Sequence, residues 1–223
     1  MALSIDVVSD VVCPWCFIGK RRLEGALARY TAAHPDAPPP VVTWRPFQLN
    51  PDMPEEGMSR AEYVARKFGA RGGAVYDRVT AVGREVGIPF AFERIVRQPN
   101  TLPAHSLIEL AHARGRQDPV VEALFRAYFL DGIDLTNREN LVAIATSGGL
   151  DRVAVEEWLD NAQARAMVEV EDVRARELGI EGVPYFIFNG RLAVSGAHPS
   201  EVLLEAMRQA DDTAVEEDQA LRP

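Results

Sequence analysis

Residues 7–27, VVSDVVCPWCFIGKRRLEGAL, decide how the chain is interpreted, because they hold both of its cysteines, Cys13 and Cys16. The apolar, β-branched residues ahead of the pair predict a buried strand over 3–10. From Pro14 onward apolar side chains recur at helical spacing, and proline suits the first turn of a helix. The two cysteines are therefore expected where a strand passes into a helix.

A Cys-x-x-Cys pair at the start of a helix is suited to thiol–disulfide exchange. The unpaired N–H groups and the positive end of the helix dipole favour the thiolate of Cys13, which is the form that attacks a disulfide. Cys16, one turn further on, is close enough to resolve a mixed disulfide formed at Cys13. Pro14 and Trp15 set the turn geometry and the local dielectric, so we expect them to tune the redox state.

Two other interpretations of the pair are weaker. A structural zinc site needs four ligands, usually Cys or His, but the chain has two cysteines, and its four histidines show no pairwise ligand spacing. Two inert, buried thiols are a common use of cysteine, but such thiols have no reason to bracket Pro-Trp at a strand-to-helix junction. Position and spacing together favour a dithiol redox motif without a metal.

Composition and net charge argue against several other classes of protein. The 223 residues are 47% hydrophobic and 26% charged, with a net charge of −9, and a chain of this length can bury a core without disulfide staples. No basic cluster predicts nucleic-acid binding, and no run of about 18 apolar residues predicts a membrane span. The first residues, MALSIDVVSDVV, lack the features of a signal peptide. We therefore expect a cytoplasmic protein with no nucleic-acid or membrane partner.

The rest of the pattern predicts an α/β fold with a helical insertion. A strand over 41–49 completes a β–α–β unit, and YFIF-NG-RLAVS, residues 185–195, predicts a hairpin with a type I′ turn. Between these segments helical periodicity dominates, and a last helix is expected to end near Gln209. The predicted parts are a discontinuous α/β frame over 1–58 and 162–210, an inserted helical domain over 59–161, and an acidic, disordered tail over 211–223.

The segment GVPYF, residues 182–186, is a second clue. In a thioredoxin-like fold, the strand after the intervening helix begins with a cis-proline that faces the cysteine pair, and the residue before it offers backbone groups to an extended substrate. Val183 and Pro184 stand in these positions. A proline that merely opens a strand is usually trans, but with the Cys-x-x-Cys unit upstream we expect this bond to be cis.

Four segments together resemble the DsbA-like oxidoreductases of the FrnE type, a cytoplasmic branch of the thioredoxin superfamily with a helical insertion. They are SDVVCPWCFIG (9–19), PNTLPAHSLIELA (99–111), FLDGIDLTNRENL (129–141) and GVPYFIFNGRLAVSGAHP (182–199). The resemblance implies Cys13 as the attacking thiol, Cys16 as the resolving thiol and Pro184 as the cis-proline. It also implies that PNTLPAH lies near the mouth of the site, which makes Asn100 and His105 candidates for polar contacts with the substrate. A capped helix start and a core histidine explain these two residues equally well.

The same scaffold hosts glutathione-dependent 2-hydroxychromene-2-carboxylate isomerases and kappa-class glutathione transferases, which typically carry serine where Cys13 stands. The intact cysteine pair favours dithiol exchange over those activities, and a non-catalytic binding module is a third option. With two cysteines in all, the chain has no second pair for a relay. The expected partners are thiol or disulfide substrates, protein or small molecule, with no cofactor apart from glutathione as a co-substrate. The oligomeric state stays open, a homodimer included.

Overall fold

A mixed four-stranded sheet flanked by helices forms the frame of the chain, in a computed structural model that describes residues 2–69 and 72–220. The strands and helices follow one another as β1 Ser4–Ser9, α1 Pro14–Ala33, β2 Val41–Pro46, β3 Met58–Ser59, α2 Arg60–Phe68, α3 Gly72–Glu85, β4 Arg97–Gln98, α4 Leu102–Ala113, α5 Gln117–Phe129, α6 Arg138–Ser147, α7 Arg152–Leu159, α8 Ala162–Glu177, β5 Tyr185–Phe188, β6 Leu192–Ser195 and α9 Ser200–Ala220. None of the helices in these described ranges has both the length and the apolar character needed to cross a bilayer.

The order of the sheet strands places the two ends of the frame side by side. The order is β2-β1-β5-β6. Strand β1 runs parallel to β2, which requires a crossover that α1 supplies, and antiparallel to β5. Strands β5 and β6 form the predicted hairpin, whose turn residues Asn189 and Gly190 have φ values of 50° and 66°. Two positive φ values in succession are the signature of a type I′ turn.

The two faces of the sheet are covered by different helices. On one face Ile5 and Phe186 are buried in the main core, together with apolar residues of α1 and α9. On the other face Val8 joins a smaller cluster with Phe47 and with Ala175 of α8. This alternation follows from the period of two along a strand, so each face of the sheet contributes apolar side chains to a different cluster.

Helices α2 to α7 form the insertion between β2 and α8, and they pack on the frame through α4 and α5. Phe17 of α1 stacks on Phe125 of α5 with ring centroids 5.0 Å apart. The backbone N–H of Trp44 in β2 donates to the side-chain oxygen of Gln117, and the Gln117 amide donates back to the Trp44 carbonyl. The predicted fold class, a thioredoxin-like frame with a helical insertion, is confirmed, and the predicted junction near 161 falls between α7 and α8.

The C-terminal segment differs from its prediction. Helix α9 continues to Ala220 instead of ending near Gln209, so the acidic tail predicted to be disordered extends the helix at least that far. The reason is that ADDTAVEEDQA contains no glycine or proline and is rich in alanine, glutamate and glutamine, which favour helix. The last three residues of the predicted tail, 221–223, lie outside the described part of the chain.

Candidate active site

Cys13 is the N-cap residue of α1, and Pro14 occupies the first helical position. The Cys13 backbone is extended, with φ −92° and ψ 110°. Its N–H donates to the carbonyl of Asp10 at 3.0 Å, and its own carbonyl accepts from the N–H of Cys16 at 3.0 Å. The first turn of α1 carries no acidic side chain, so no neighbouring carboxylate on this turn offsets the positive end of the helix. Cys13 therefore lies at the positive end of the α1 dipole.

Cys16 lies one turn into α1 and is more deeply buried than Cys13, with 1% of its surface exposed against 4%. Burial raises the pKa of the Cys16 thiol, and the adjacent Cys13 thiol raises it further, while the Ser9 hydroxyl and the Asp10 backbone oppose the shift. Cys16 therefore keeps its proton at neutral pH. In the described residues no three Cys, His, Asp or Glu side chains are grouped so that they could hold a metal ion.

Val183 and Pro184 lie directly beside Cys13. The Cys13 thiol donates a hydrogen bond of 3.5 Å to the Val183 carbonyl, and the Val183–Pro184 peptide bond is cis, as expected. Helix α1 approaches the proline closely at Gly19, where an added Cβ would lie 3.0 Å from Cγ of Pro184. The structure thus brings together the Cys-Pro-Trp-Cys segment and the Val183–Pro184 segment, which lie near opposite ends of the sequence.

Partly exposed apolar side chains lie next to the thiols. Pro14 and Trp15 in the first turn of α1 are half-buried, and so are Val183 and Tyr185 on the other side of the site. Trp15 and Val183 also pack on the edge of the main core. Because these side chains are neither fully covered nor fully exposed, they are available to contact an apolar substrate segment.

His105 lies in the interior, and this corrects the expectation that it contacts the substrate at the mouth of the site. Its ring is 2% exposed, and Nε2 lies 3.3 Å from Oδ1 of Asp10, which is itself fully buried. The other carboxylate oxygen of Asp10 accepts the N–H of Leu49 at 2.8 Å. A buried carboxylate is costly without hydrogen-bond partners. This explains why His105 lies in the interior beside Asp10.

Asp10 was not singled out from the sequence, although it stands inside the deciding stretch. The signal that could have found it is an acidic residue between the apolar pairs Val7-Val8 and Val11-Val12, three positions before Cys13. An acid in that place must be buried with the strand, and so must find a partner from elsewhere in the fold.

Asn100 joins the loop over 50–57 to the start of α4 through two hydrogen bonds. Its Nδ2 donates to the carbonyl of Met53 at 2.6 Å, and its Oδ1 accepts the N–H of Leu102 at 2.9 Å. It lines a cavity of about 170 Å³ that also includes the side chains of Arg138 and Arg165. Its amide therefore holds the 50–57 loop against the start of α4, and a contact with substrate stays a prediction.

Comparison with known proteins places this geometry in a family. The model of the DSBA-like thioredoxin domain matches residues 4–208. The probable DsbA oxidoreductase SCO1869 from Streptomyces coelicolor is 31% identical, with a TM-score of 0.84 over 93% of this chain and 89% of that chain.

Two further solved structures are similar at lower identity and show the fold alone. A 2-hydroxychromene-2-carboxylate isomerase is 17% identical, with a TM-score of 0.66 over 99% of this chain and all of the other (100%). The cytosolic disulfide reductase DsbM from Pseudomonas aeruginosa, solved with GSH, is 17% identical, with a TM-score of 0.60 over 97% of this chain and 99% of that chain. Because the family model matches nearly the whole chain, from the first sheet strand into α9, the chain belongs to the DSBA-like thioredoxin domain family.

Proposed function

We propose that the protein is a thiol–disulfide oxidoreductase of the FrnE type that uses Cys13 and Cys16 as its redox pair. The observation that carries the proposal is the placement of Cys13. It caps α1, and its sulfur lies 3.5 Å from the Val183 carbonyl, with Cys16 one turn further along the helix. An attacking thiol is thereby placed at a helix N-terminus, next to the Val183–Pro184 segment, and a resolving thiol is held behind it.

The reaction proceeds in two exchanges. The Cys13 thiolate attacks one sulfur of a substrate disulfide, forms a mixed disulfide and releases the other substrate sulfur as a thiolate. Cys16 then loses its proton and attacks the Cys13 sulfur, which forms the Cys13–Cys16 disulfide and releases the second substrate thiolate. The substrate gains two electrons and the enzyme loses two. The same steps in reverse oxidise a substrate dithiol.

Substrate binding is assigned to the surface beside Cys13. Trp15 and Val183 offer apolar contact, and the backbone of Val183, the residue before Pro184, offers hydrogen-bonding groups to an extended chain. Pro14 and Trp15 tune the redox state by fixing the first turn of α1. This surface suits unfolded protein segments and small thiols alike.

We further propose that the protein works in the cytoplasm with glutathione as a co-substrate and with no other cofactor. The fold-level likeness to DsbM, a reductase named as cytosolic and solved with GSH, supports this placement. In a reducing compartment glutathione can return an oxidised pair to the dithiol. Neither a nucleic acid nor a membrane is a proposed partner.

The test compares two isosteric variants with wild type in insulin reduction, with and without glutathione. Cys13→Ser should abolish the reaction, because a hydroxyl at that position cannot form a mixed disulfide. Cys16→Ser should trap the mixed disulfide, visible as a mass increase equal to one bound substrate thiol that dithiothreitol removes. The reduction potential of the wild-type pair, measured in glutathione buffers, then tells whether the protein acts as a reductant or an oxidant.

Other outcomes would favour the other activities of this fold. Robust glutathione-dependent turnover of an aromatic substrate by Cys13→Ser would favour an isomerase or transferase, in which glutathione supplies the reacting thiol. Disulfide chemistry that persists unchanged in Cys13→Ser would contradict the assignment of the nucleophile. A cellular function that survives the replacement of Cys13 would favour a binding module.

A further inference from the structure

The loop that follows β6 lies against the segment that faces Cys13. The backbone N–H of Gly196, the residue after β6, donates to the carbonyl of Pro184 at 2.8 Å and so continues the pairing of β5 with β6. Pro184 directly follows Val183, whose carbonyl accepts the hydrogen bond of the Cys13 thiol. The position of Gly196 therefore affects the position of Val183 beside the thiol.

The loop over 196–199 turns sharply before α9 begins. Gly196 has a φ of 94°, in the left-handed region that favours glycine. Its carbonyl accepts the N–H of His198 at 2.9 Å. Short turns have few hydrogen bonds of their own, so their position depends on contacts with neighbouring elements.

Arg22 of α1 supplies such a contact. Its Nη1 donates to the carbonyl of Ala197, and its own backbone carbonyl accepts the hydroxyl of Ser200 at 2.7 Å. The Arg22 side chain is half-buried. A hydrogen bond from a guanidinium is charge-assisted and roughly twice as strong as a neutral one. Arg22 therefore anchors the 196–199 loop to α1.

The helix that carries the cysteine pair thus holds the proline segment at two places. At its N-terminus the Cys13 thiol contacts the Val183 carbonyl. In its third turn Arg22 holds the loop whose Gly196 is bonded to Pro184. Because both contacts start from one helix, together they fix how the Val183 backbone is presented next to the thiol.

We propose that Arg22 is a positioning residue for the exchange reaction. It anchors the 196–199 loop to α1, and the loop holds the Val183 backbone where an extended substrate can pair with it. This inference rests on the proposed function, in which the Val183 backbone binds the substrate beside Cys13. Arg22 acts on the substrate through the loop and Pro184.

A peptide and a small disulfide test this role separately from the reactivity of Cys13. In the peptide probe, the cysteine of an unstructured peptide carries thionitrobenzoate in a disulfide. Attack by Cys13 on the peptide sulfur releases the coloured thionitrobenzoate, which is the better leaving group. Single-turnover rates at increasing peptide concentration give the half-saturating concentration and the limiting rate. The chromogenic disulfide DTNB has no backbone that could pair with Val183, so it reports the reactivity of Cys13.

Arg22→Met keeps the apolar stem of the side chain and removes the donor to Ala197. It should raise the half-saturating peptide concentration on the order of tenfold, the equivalent of one to two backbone hydrogen bonds. The limiting rate and the rate with DTNB should fall much less. Arg22→Lys restores a donor and should recover most of the peptide binding. A general loss of stability would not produce this split between binding and rate.

Two further variants test the loop and the specificity of the effect. Gly196→Ala opposes the positive φ of the turn. It should raise the half-saturating peptide concentration with Arg22 intact, and it serves as the test if Arg22→Met does not fold. Arg29→Met is the matched control, because Arg29 also joins α1 to α9, through an exposed ion pair of 2.7 Å with Glu201. This control should match wild type.

The outcomes distinguish this inference from the proposed function. Wild-type saturation by the peptide in both Arg22→Met and Gly196→Ala would overturn the positioning role. A defect of Arg22→Met that is equal with the peptide and with DTNB, or that Arg22→Lys does not recover, would also overturn it. If Cys13→Ser released thionitrobenzoate from both probes as fast as wild type, the proposed function would fail instead.

Discussion

The thiol of Cys13 donates a 3.5 Å hydrogen bond to the carbonyl of Val183, across 170 residues of sequence. Cys13 stands before the helical insertion and Val183 stands after it, so the two meet only because β5 pairs with β1. The reactivity of the pair therefore depends on closure of the frame as well as on the local Cys-Pro-Trp-Cys sequence.

Alkylation of the reduced protein should modify Cys13 before Cys16. Cys16 is almost fully buried and its pKa is raised, so its thiolate becomes abundant only at high pH. Cys13 lies at the helix N-terminus beside partly exposed apolar residues. Iodoacetamide labelling across pH, read by peptide mass spectrometry, measures both sites at once. Faster labelling of Cys16 at neutral pH would reverse the two roles.

The parts of the site that could be predicted are those encoded by short stretches of sequence. Cys13 and Cys16 at a strand-to-helix junction, Val183–Pro184 ahead of an apolar strand, and the Asn189–Gly190 turn each have a local signature. The order of these signatures along the chain was enough to indicate a frame split by an insertion. The structure confirmed the fold class that they predicted.

The parts that could not be predicted depend on contacts between distant segments. The pairing of Asp10 with His105 joins the residue after β1 to α4, 95 positions further along the chain, and no pattern within either segment reports that contact. The same is true of the short ribbon of β3 and β4, whose strands of two residues are too short to show an alternation. The acidic composition of the C-terminal segment predicts a disordered tail, but the helix propensity of the same residues extends α9 to Ala220.

Replacement of Gly19 by alanine should disturb the contact between α1 and the proline segment. An added Cβ would lie 3.0 Å from Cγ of Pro184 and 3.1 Å from Cζ of Phe186. Overpacking of this kind costs about 1–3 kcal/mol, and the helix propensity of alanine returns about 1 kcal/mol. The free energy of unfolding should therefore fall by up to about 2 kcal/mol.

Urea unfolding measures this loss, and Gly73→Ala provides the matched control. Gly73 lies in α3, where no atom is within 4 Å of an added Cβ, so alanine there should be neutral or stabilising. We also expect Gly19→Ala to slow the attack of Cys13 on the chromogenic disulfide DTNB, which releases coloured thionitrobenzoate. The reason is that a shift of Pro184 also moves Val183, whose carbonyl contacts the Cys13 thiol. A Gly19→Ala variant as stable and reactive as Gly73→Ala would contradict the tight contact.

Lys20 should be a major link between the frame and the insertion. Its side chain is 3% exposed, and Nζ lies 2.5 Å from Glu24, 3.1 Å from Asp118 and 3.4 Å from Glu122. Burial alone would lower the pKa of Lys20, but these carboxylates outweigh it and raise the pKa. Lys20→Met keeps the apolar stem of the side chain and removes its positive charge. The three carboxylates then lie close together without the ammonium group that pairs with them.

The expected loss of unfolding free energy is on the order of 2 kcal/mol, between the values for exposed and buried ion pairs, because Asp118 and Glu24 are themselves partly exposed. The other lysine of the chain, Lys67, is exposed. Lys67→Met should change the stability by less than about 0.5 kcal/mol. Equal losses of unfolding free energy in the two variants would show that the ion pairs of Lys20 contribute no more to stability than an exposed lysine does.

Stability should depend on pH through Glu122, the acidic partner of Arg21 and Lys20. Burial alone would raise the pKa of Glu122, but the hydrogen bond and charge of Arg21, together with the charge of Lys20, outweigh it and lower the pKa below 4.5. A carboxyl whose pKa is lower in the folded state binds fewer protons there than in the unfolded chain. Its contribution is therefore complete above the unfolded pKa and is lost as pH falls through the folded pKa.

Glu122→Gln removes this contribution, so wild type should be the more stable protein at neutral pH. The difference between the two should close as the pH is lowered from about 6 to about 2, because protonation of Glu122 makes wild type resemble the variant. Urea unfolding at a series of pH values measures the difference, with Glu157→Gln on the exposed face of α7 as the control. A difference that stays constant or widens on acidification would show that the ion pairs with Arg21 and Lys20 do not stabilise the fold. The attachment of α5 to the helix that carries both cysteines would then depend on the Lys20–Asp118 ion pair, on the stacking of Phe17 on Phe125 and on apolar packing.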